Sequence, residues 1–99
     1  MPWSIPVATA AGLAAGVAVS EVAAQVAKEF GASERVERIV RTVTHTAVST
    51  SVQWTVNTAM LDPVGAAAAP GAAVAGAAAH QIAMDILARG QVPGPSPAA

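Results

Sequence analysis

The chain has 99 residues, of which 54% are apolar, 11% charged and 3% aromatic, with a formal net charge of -1. A balance this close to neutral excludes the basic footprint of a nucleic-acid binder. The lack of cysteine excludes disulfides, thiol chemistry and thiolate metal sites.

Alanine supplies about half of the apolar share, and large side chains are scarce. Burying an alanine methyl gives about 0.8 kcal/mol at best, against about 1–2 kcal/mol of backbone entropy per ordered residue. A single domain of this length lies below the size at which one core is comfortably self-sufficient. The composition therefore predicts that neighbouring copies or lipid supply the missing contacts.

The first segment runs from about Ser4 to Phe30. Pro2, Trp3 and Pro6 stand where a secretory leader carries its basic flank, so a standard export signal is not expected. Ala8, Gly12, Gly16, Ser20 and Ala24 recur every four residues and share one helix face. A face this flat lets another helix come close, trading side-chain area for dispersion and Cα–H···O contacts. It is the predicted helix-packing face. Gly31 is placed to close the helix as its C′ residue.

Ser33 then reads as the N-cap of a second helix, with Glu34 in its first turn. Glu34–Arg38 and Glu37–Arg41 are i,i+4 pairs in the favourable order. From Val48 to Met60 apolar and polar residues alternate, which is a strand pattern. Val36, Val40, Val43, Ala47, Thr50, Trp54, Asn57 and Leu61 nevertheless form a heptad-like seam continuous with the capped start. No turn signal interrupts the run, so one long helix is expected.

Asp62-Pro63 is the predicted helix boundary, with Asp62 as N-cap and Pro63 at the first helical position. The third segment, Pro63 to Arg89, is Ala-rich, with a break or kink expected at Pro70-Gly71. Gly65, Ala68, Ala72, Gly76 and Ala79 offer a partner surface for the first helix, within one chain or between chains. Asp85–Arg89 is a further i,i+4 pair, and Gly90 is the expected stop. Residues 1–90 thus read as a helical assembly domain, and 91–99 (QVPGPSPAA) as an extended Pro-rich tail, a tether or strap. The expected fold is all-α: two or three long Ala/Gly-rich helices in an antiparallel hairpin or zigzag, assembling into an oligomer or polymer.

Chemistry motifs are missing. His45 and His80 have no Cys or His at metal-ligand spacing, no nucleophile elbow or Ser-x-x-Lys occurs, and the glycines make no phosphate loop. A non-enzymatic protein without metal or cofactor is expected. Glu21 and Asp85 lie in apolar helical sequence, where packing raises a carboxyl pKa, and His45 and His80 titrate near neutrality. These four are the candidate pH-sensing residues. The competing reading has them facing solvent, paired with Lys28 or Arg89.

Residues 1–20, 42–61 and 63–84 carry no formal side-chain charge and are long enough to cross a bilayer. Alanine is near neutral for insertion, and the second stretch holds Thr, Ser, His45, Gln53 and Asn57. The first stretch is the best span, with Lys28, Arg35, Arg38 and Arg41 on its inner flank.

The run SVQWTVNTAMLD (Ser51 to Asp62), the turns at Pro63 and Pro70, and GAAVAGAAAHQIA resemble the Reb family of R-body (killing-trait) proteins. Those proteins share a Ser/Thr/Val/Asn-rich segment, an acidic-proline turn and an Ala-rich helix bearing amides. Ser51, Val52, Thr55 and Asp62 match best, and the similarity spans roughly residues 44 to 83. Trp54 replaces a polar position, the family's Gln-rich tract is absent, and the glycine-ladder helix is an addition. The resemblance implies a cytoplasmic protein that polymerises into coiled ribbons and extends on acidification, with no catalytic residue. The expected partners are copies of the chain itself or paralogous subunits. The alternative is a small membrane-embedded helical protein, pilin-like or an accessory subunit, with its first helix in lipid.

Overall fold

The computed structural model describes residues 3–90, which form three helices in an antiparallel arrangement: α1 (Ser4–Glu29), α2 (Glu34–Ala59) and α3 (Pro63–Gly90). The tail at 91–99, expected to be extended, lies outside the described residues. α1 and α3 both pack along α2 and touch each other less. The strand-like alternation at 48–60 sits within α2 up to Ala59, with Met60 as the C-cap. There Thr46 and Ser51 turn their hydroxyls onto the carbonyls of Thr42 and Ala47, at 2.9 and 3.0 Å, and so remain compatible with a helix.

Both turns have the same build. After α1, Gly31 takes the left-handed conformation (φ 85°), and the Gly31 and Ala32 N–H groups donate to the carbonyls of Lys28 and Ala27. After α2, Leu61 takes that conformation (φ 60°), and the Leu61 and Asp62 N–H groups donate to Thr58 and Asn57. Each is a Schellman closure. The next helix is capped at once: Val36 N–H donates to Ser33 Oγ at 3.2 Å, and Gly65 N–H donates to Asp62 Oδ1 at 2.8 Å. α3 starts at Pro63, as the Asp62-Pro63 boundary predicts.

Gly31 bears its left-handed backbone without strain, whereas Leu61 does not. The Leu61 side chain is also 86% exposed, so its loss removes little packing. Leu61→Gly is expected to stabilise the bundle by about 1 kcal/mol, read as a higher urea midpoint at unchanged m-value.

The break expected at Pro70 is not observed. α3 runs unbroken from Pro63 to Gly90, with Pro70 inside it. Pro70 and Gly71 are both exposed, and nothing lies within 4 Å of a Cβ built at Gly71. A second departure concerns α2. Its buried row is Arg41, His45, Ser49, Gln53 and Asn57, which shares only Asn57 with the predicted seam, and the seam's Val43 and Trp54 are more than half exposed.

Candidate functional site

The candidate site is the seam between the helices, which is polar. Among the described residues, the buried apolar positions are all alanines: Ala8, Ala24, Ala66, Ala69, Ala73 and Ala77. The remaining buried side chains include Ser4, Ser20, Arg41, His45, Ser49, Gln53, Asn57 and His80. Large apolar residues instead point outward on every helix, among them Ile5, Leu13, Ile39, Val43, Ile82 and Ile86. The molecule is inverted relative to an ordinary soluble domain.

Glycines make room for the polar row. On α1 the buried residues are Ser4, Ala8, Gly12, Gly16, Ser20 and Ala24, so the predicted packing face lies inside the chain. What covers it is α2, and not the small residues of α3 as expected. A Cβ at Gly12 would fall 2.6 Å from Gln53 Cγ, and one at Gly16 would fall 2.6 Å from His45 Cδ2. On α3, a Cβ at Gly65 would fall 2.6 Å from Asn57 Oδ1. Polar side chains thus sit in hollows that only glycine leaves open. They also bond along α2: Gln53 Nε2 donates to Ser49 Oγ at 2.8 Å, and Asn57 Nδ2 to the Gln53 carbonyl at 2.9 Å.

At the middle of the seam His45, fully buried on α2, meets His80 of α3, with their Nδ1 atoms 2.9 Å apart. At that distance one ring donates and the other accepts, so the contact needs one bare nitrogen. The outer nitrogens, His45 Nε2 and His80 Nε2, are buried without a hydrogen-bond partner among the described residues. His80 Nε2 lies 3.5 Å from Glu21 Oε2, a separation that becomes an ion pair when the ring is charged. Glu21 is held by Arg41, whose Nε donates to Oε1 at 2.6 Å, and Arg41 also reaches Gln81 and Glu37. Three of the four candidate pH-sensing residues, Glu21, His45 and His80, therefore share one cluster with Arg41. The sequence reading missed Arg41. Its place on the i,i+4 row with His45, Ser49, Gln53 and Asn57 is the signal that could have found it.

Asp85 stands apart. It pairs with Arg38 and accepts from Gln81 Nε2 at 2.9 Å. The Arg38 hydrogen bond, with the help of Gln81, holds its carboxyl below the ordinary range. The expectation that packing raises it is corrected: a cation on α2 faces it. Its partner is Arg38, and that of Glu21 is Arg41, where Arg89 and Lys28 were expected. Asp62 is lowered as well, chiefly by Ser4 Oγ, which donates to Oδ2 at 2.5 Å, and then by the Gly65 N–H. His45 is lowered by burial and by the neighbouring His80, below the ordinary value expected for it.

Charge is segregated along the molecule. Apart from Asp62, the charged side chains among the described residues fall within 21–41 and 85–89, which the antiparallel packing gathers at one end. The rest of each helix is uncharged. α1 and α3 are both long and apolar enough to cross a membrane, where the sequence reading singled out only the first. No protein-family model, curated protein or solved structure matches this chain.

Proposed function

We propose that the chain is a non-enzymatic structural subunit that polymerises into a ribbon or filament, as the Reb-family resemblance implies. Acid loosens the subunit at its histidine pair. One observation carries this reading: the buried apolar residues are alanines, while the large apolar residues face outward on all three helices. A monomer of this kind leaves its main hydrophobic driving force unused, because soluble monomers rarely expose apolar patches beyond a few hundred Å². Copies packing through these outer faces recover it. Since the Ala8-to-Ala24 row is occupied within the chain, the interfaces between copies fall to the outward Val, Ile and Leu side chains.

The segregated charge and the two span-length helices favour a second reading, in which lipid covers the same faces. α2 weighs against it, since its outward surface carries Ser51, Thr55 and Thr58 beside Trp54. A mixed surface of this sort suits protein better than acyl chains.

The test is expression without detergent, centrifugation, and negative-stain microscopy of the pellet at neutral and mildly acid pH. Ribbons or filaments that change form on acidification are the expected outcome. Protein recovered only with detergent or lipid establishes the second reading instead.

A further inference from the structure

We propose that the cleft at the α2–α3 turn receives the Pro-rich segment 91–99 of a second copy, joining copies end to end. This rests on the reading that the chain self-associates, and it names the contact that elongates the polymer.

The cleft measures about 510 Å³ and is lined by Trp54, Thr58, Leu61, Asp62, Pro63, Ala66 and Ala67. That is the size of a small-ligand or peptide site. Trp54 leaves 54% of its surface exposed, on a helix whose other side is fully packed. Aromatic-lined apolar grooves of this kind take proline-rich strands, which arrive already extended and so lose little entropy on docking. The segment QVPGPSPAA places Pro93, Pro95 and Pro97 in alternation.

Leu61 supplies an independent mark. It occupies a left-handed position where glycine is cheaper, yet carries a large, outward side chain at the cleft's rim. Strain kept at an exposed site points to a contact made there.

Reach decides between one's own segment and a neighbour's. Ala67 and Gly90 are separated along α3 by about 35 Å, at 1.5 Å per residue. Pro97 extends at most about 25 Å beyond Gly90 even when fully stretched. The segment therefore falls short of its own cleft, which sits at the opposite end of α3. Docking on a second copy is a head-to-tail contact, and such a contact propagates rather than closes.

Trp3→Phe leaves Trp54 as the sole tryptophan of the full chain. Added to that chain at low concentration, the peptide QVPGPSPAA is expected to produce a saturable blue shift of Trp54 emission. The same peptide with its three prolines changed to alanine binds about tenfold more weakly. In the full chain, Pro93→Ala/Pro95→Ala/Pro97→Ala and, separately, Trp54→Gln shorten the polymers about tenfold at unchanged helix content. An unshifted Trp54, equal binding of both peptides, or full-length polymers from the triple variant overturns the proposal while leaving self-association intact. A Trp54 shift with phosphocholine vesicles but none with peptide gives the cleft to lipid and overturns it too. A wild-type chain that stays monomeric throughout overturns the self-association reading instead, and the peptide titration still decides the cleft's occupant.

Discussion

Gly16→Ala is expected to lower the stability of the bundle by about 2 kcal/mol, whereas Gly71→Ala raises it by about 1 kcal/mol. Alanine is the better helix former at both positions, so the sign of the change reports the surroundings. At Gly16 the new methyl falls 2.6 Å from His45 Cδ2 and 2.8 Å from Nε2. The imidazole cannot swing aside, because it is fully buried and engaged with His80 at 2.9 Å. At Gly71 nothing lies within 4 Å, and only the gain in propensity remains. Gly76 is the closer control: its Cβ would stand 3.7 Å from His45 Nε2, an ordinary contact, so Gly76→Ala should be neutral or mildly stabilising. Urea midpoints of the three variants check this ordering. If Gly16→Ala is as stabilising as Gly71→Ala, the polar seam does not exist as described.

Acid is expected to destabilise the subunit in a window that belongs to His45. Burial and His80 hold its pKa below the ordinary 6.5, so the unfolded chain takes up the proton more readily than the folded one. Its contribution is therefore complete above pH 6.5 and is lost as pH falls through that value toward the lowered folded one. The slope is at most about 1.4 kcal/mol per pH unit for one proton. His45 faces His80 from α3, and beyond that ring stand Glu21 from α1 and Arg41 from α2. A proton on both Nδ1 atoms would set donor against donor at 2.9 Å and part the helices. Asp62 and Asp85 are also lowered, from 3.8, so their contributions are lost only at more acid pH. His45→Gln should flatten the stability profile just below pH 6.5, leaving the loss that the carboxylates cause at more acid pH. Equal profiles for wild type and variant across that window would assign the acid response elsewhere.

Much of the fold was legible because local rules decide it. Ser33 and Asp62 cap because their side chains reach back to backbone N–H groups three residues on, and Gly31 closes a helix through its left-handed backbone. The four-residue recurrence of Ala8, Gly12, Gly16, Ser20 and Ala24 marks a buried row for the same geometric reason. What covers that row was not legible. The usual inference that an apolar stripe faces the core selected Val36, Val43 and Trp54 on α2. Here the rule inverts, because glycine hollows on α1 admit Ser49, Gln53 and His45. The pairings of Glu21 with Arg41 and Asp85 with Arg38 depend on antiparallel register, which no local pattern fixes. Pro70 does not end α3, because its cost is one lost backbone hydrogen bond and a crowded carbonyl four residues back, which the rest of the 28-residue helix outweighs.

The central claim is that this chain hides small and polar groups, presents its large apolar ones, and so depends on copies of itself. Sedimentation of the 9.7 kDa chain in detergent-free buffer, over a wide range of concentration, tests it most directly. Species that grow with concentration, together with a melting midpoint that rises alongside, are predicted. A single monomeric boundary at every concentration, with a cooperative melt that never moves, would contradict it.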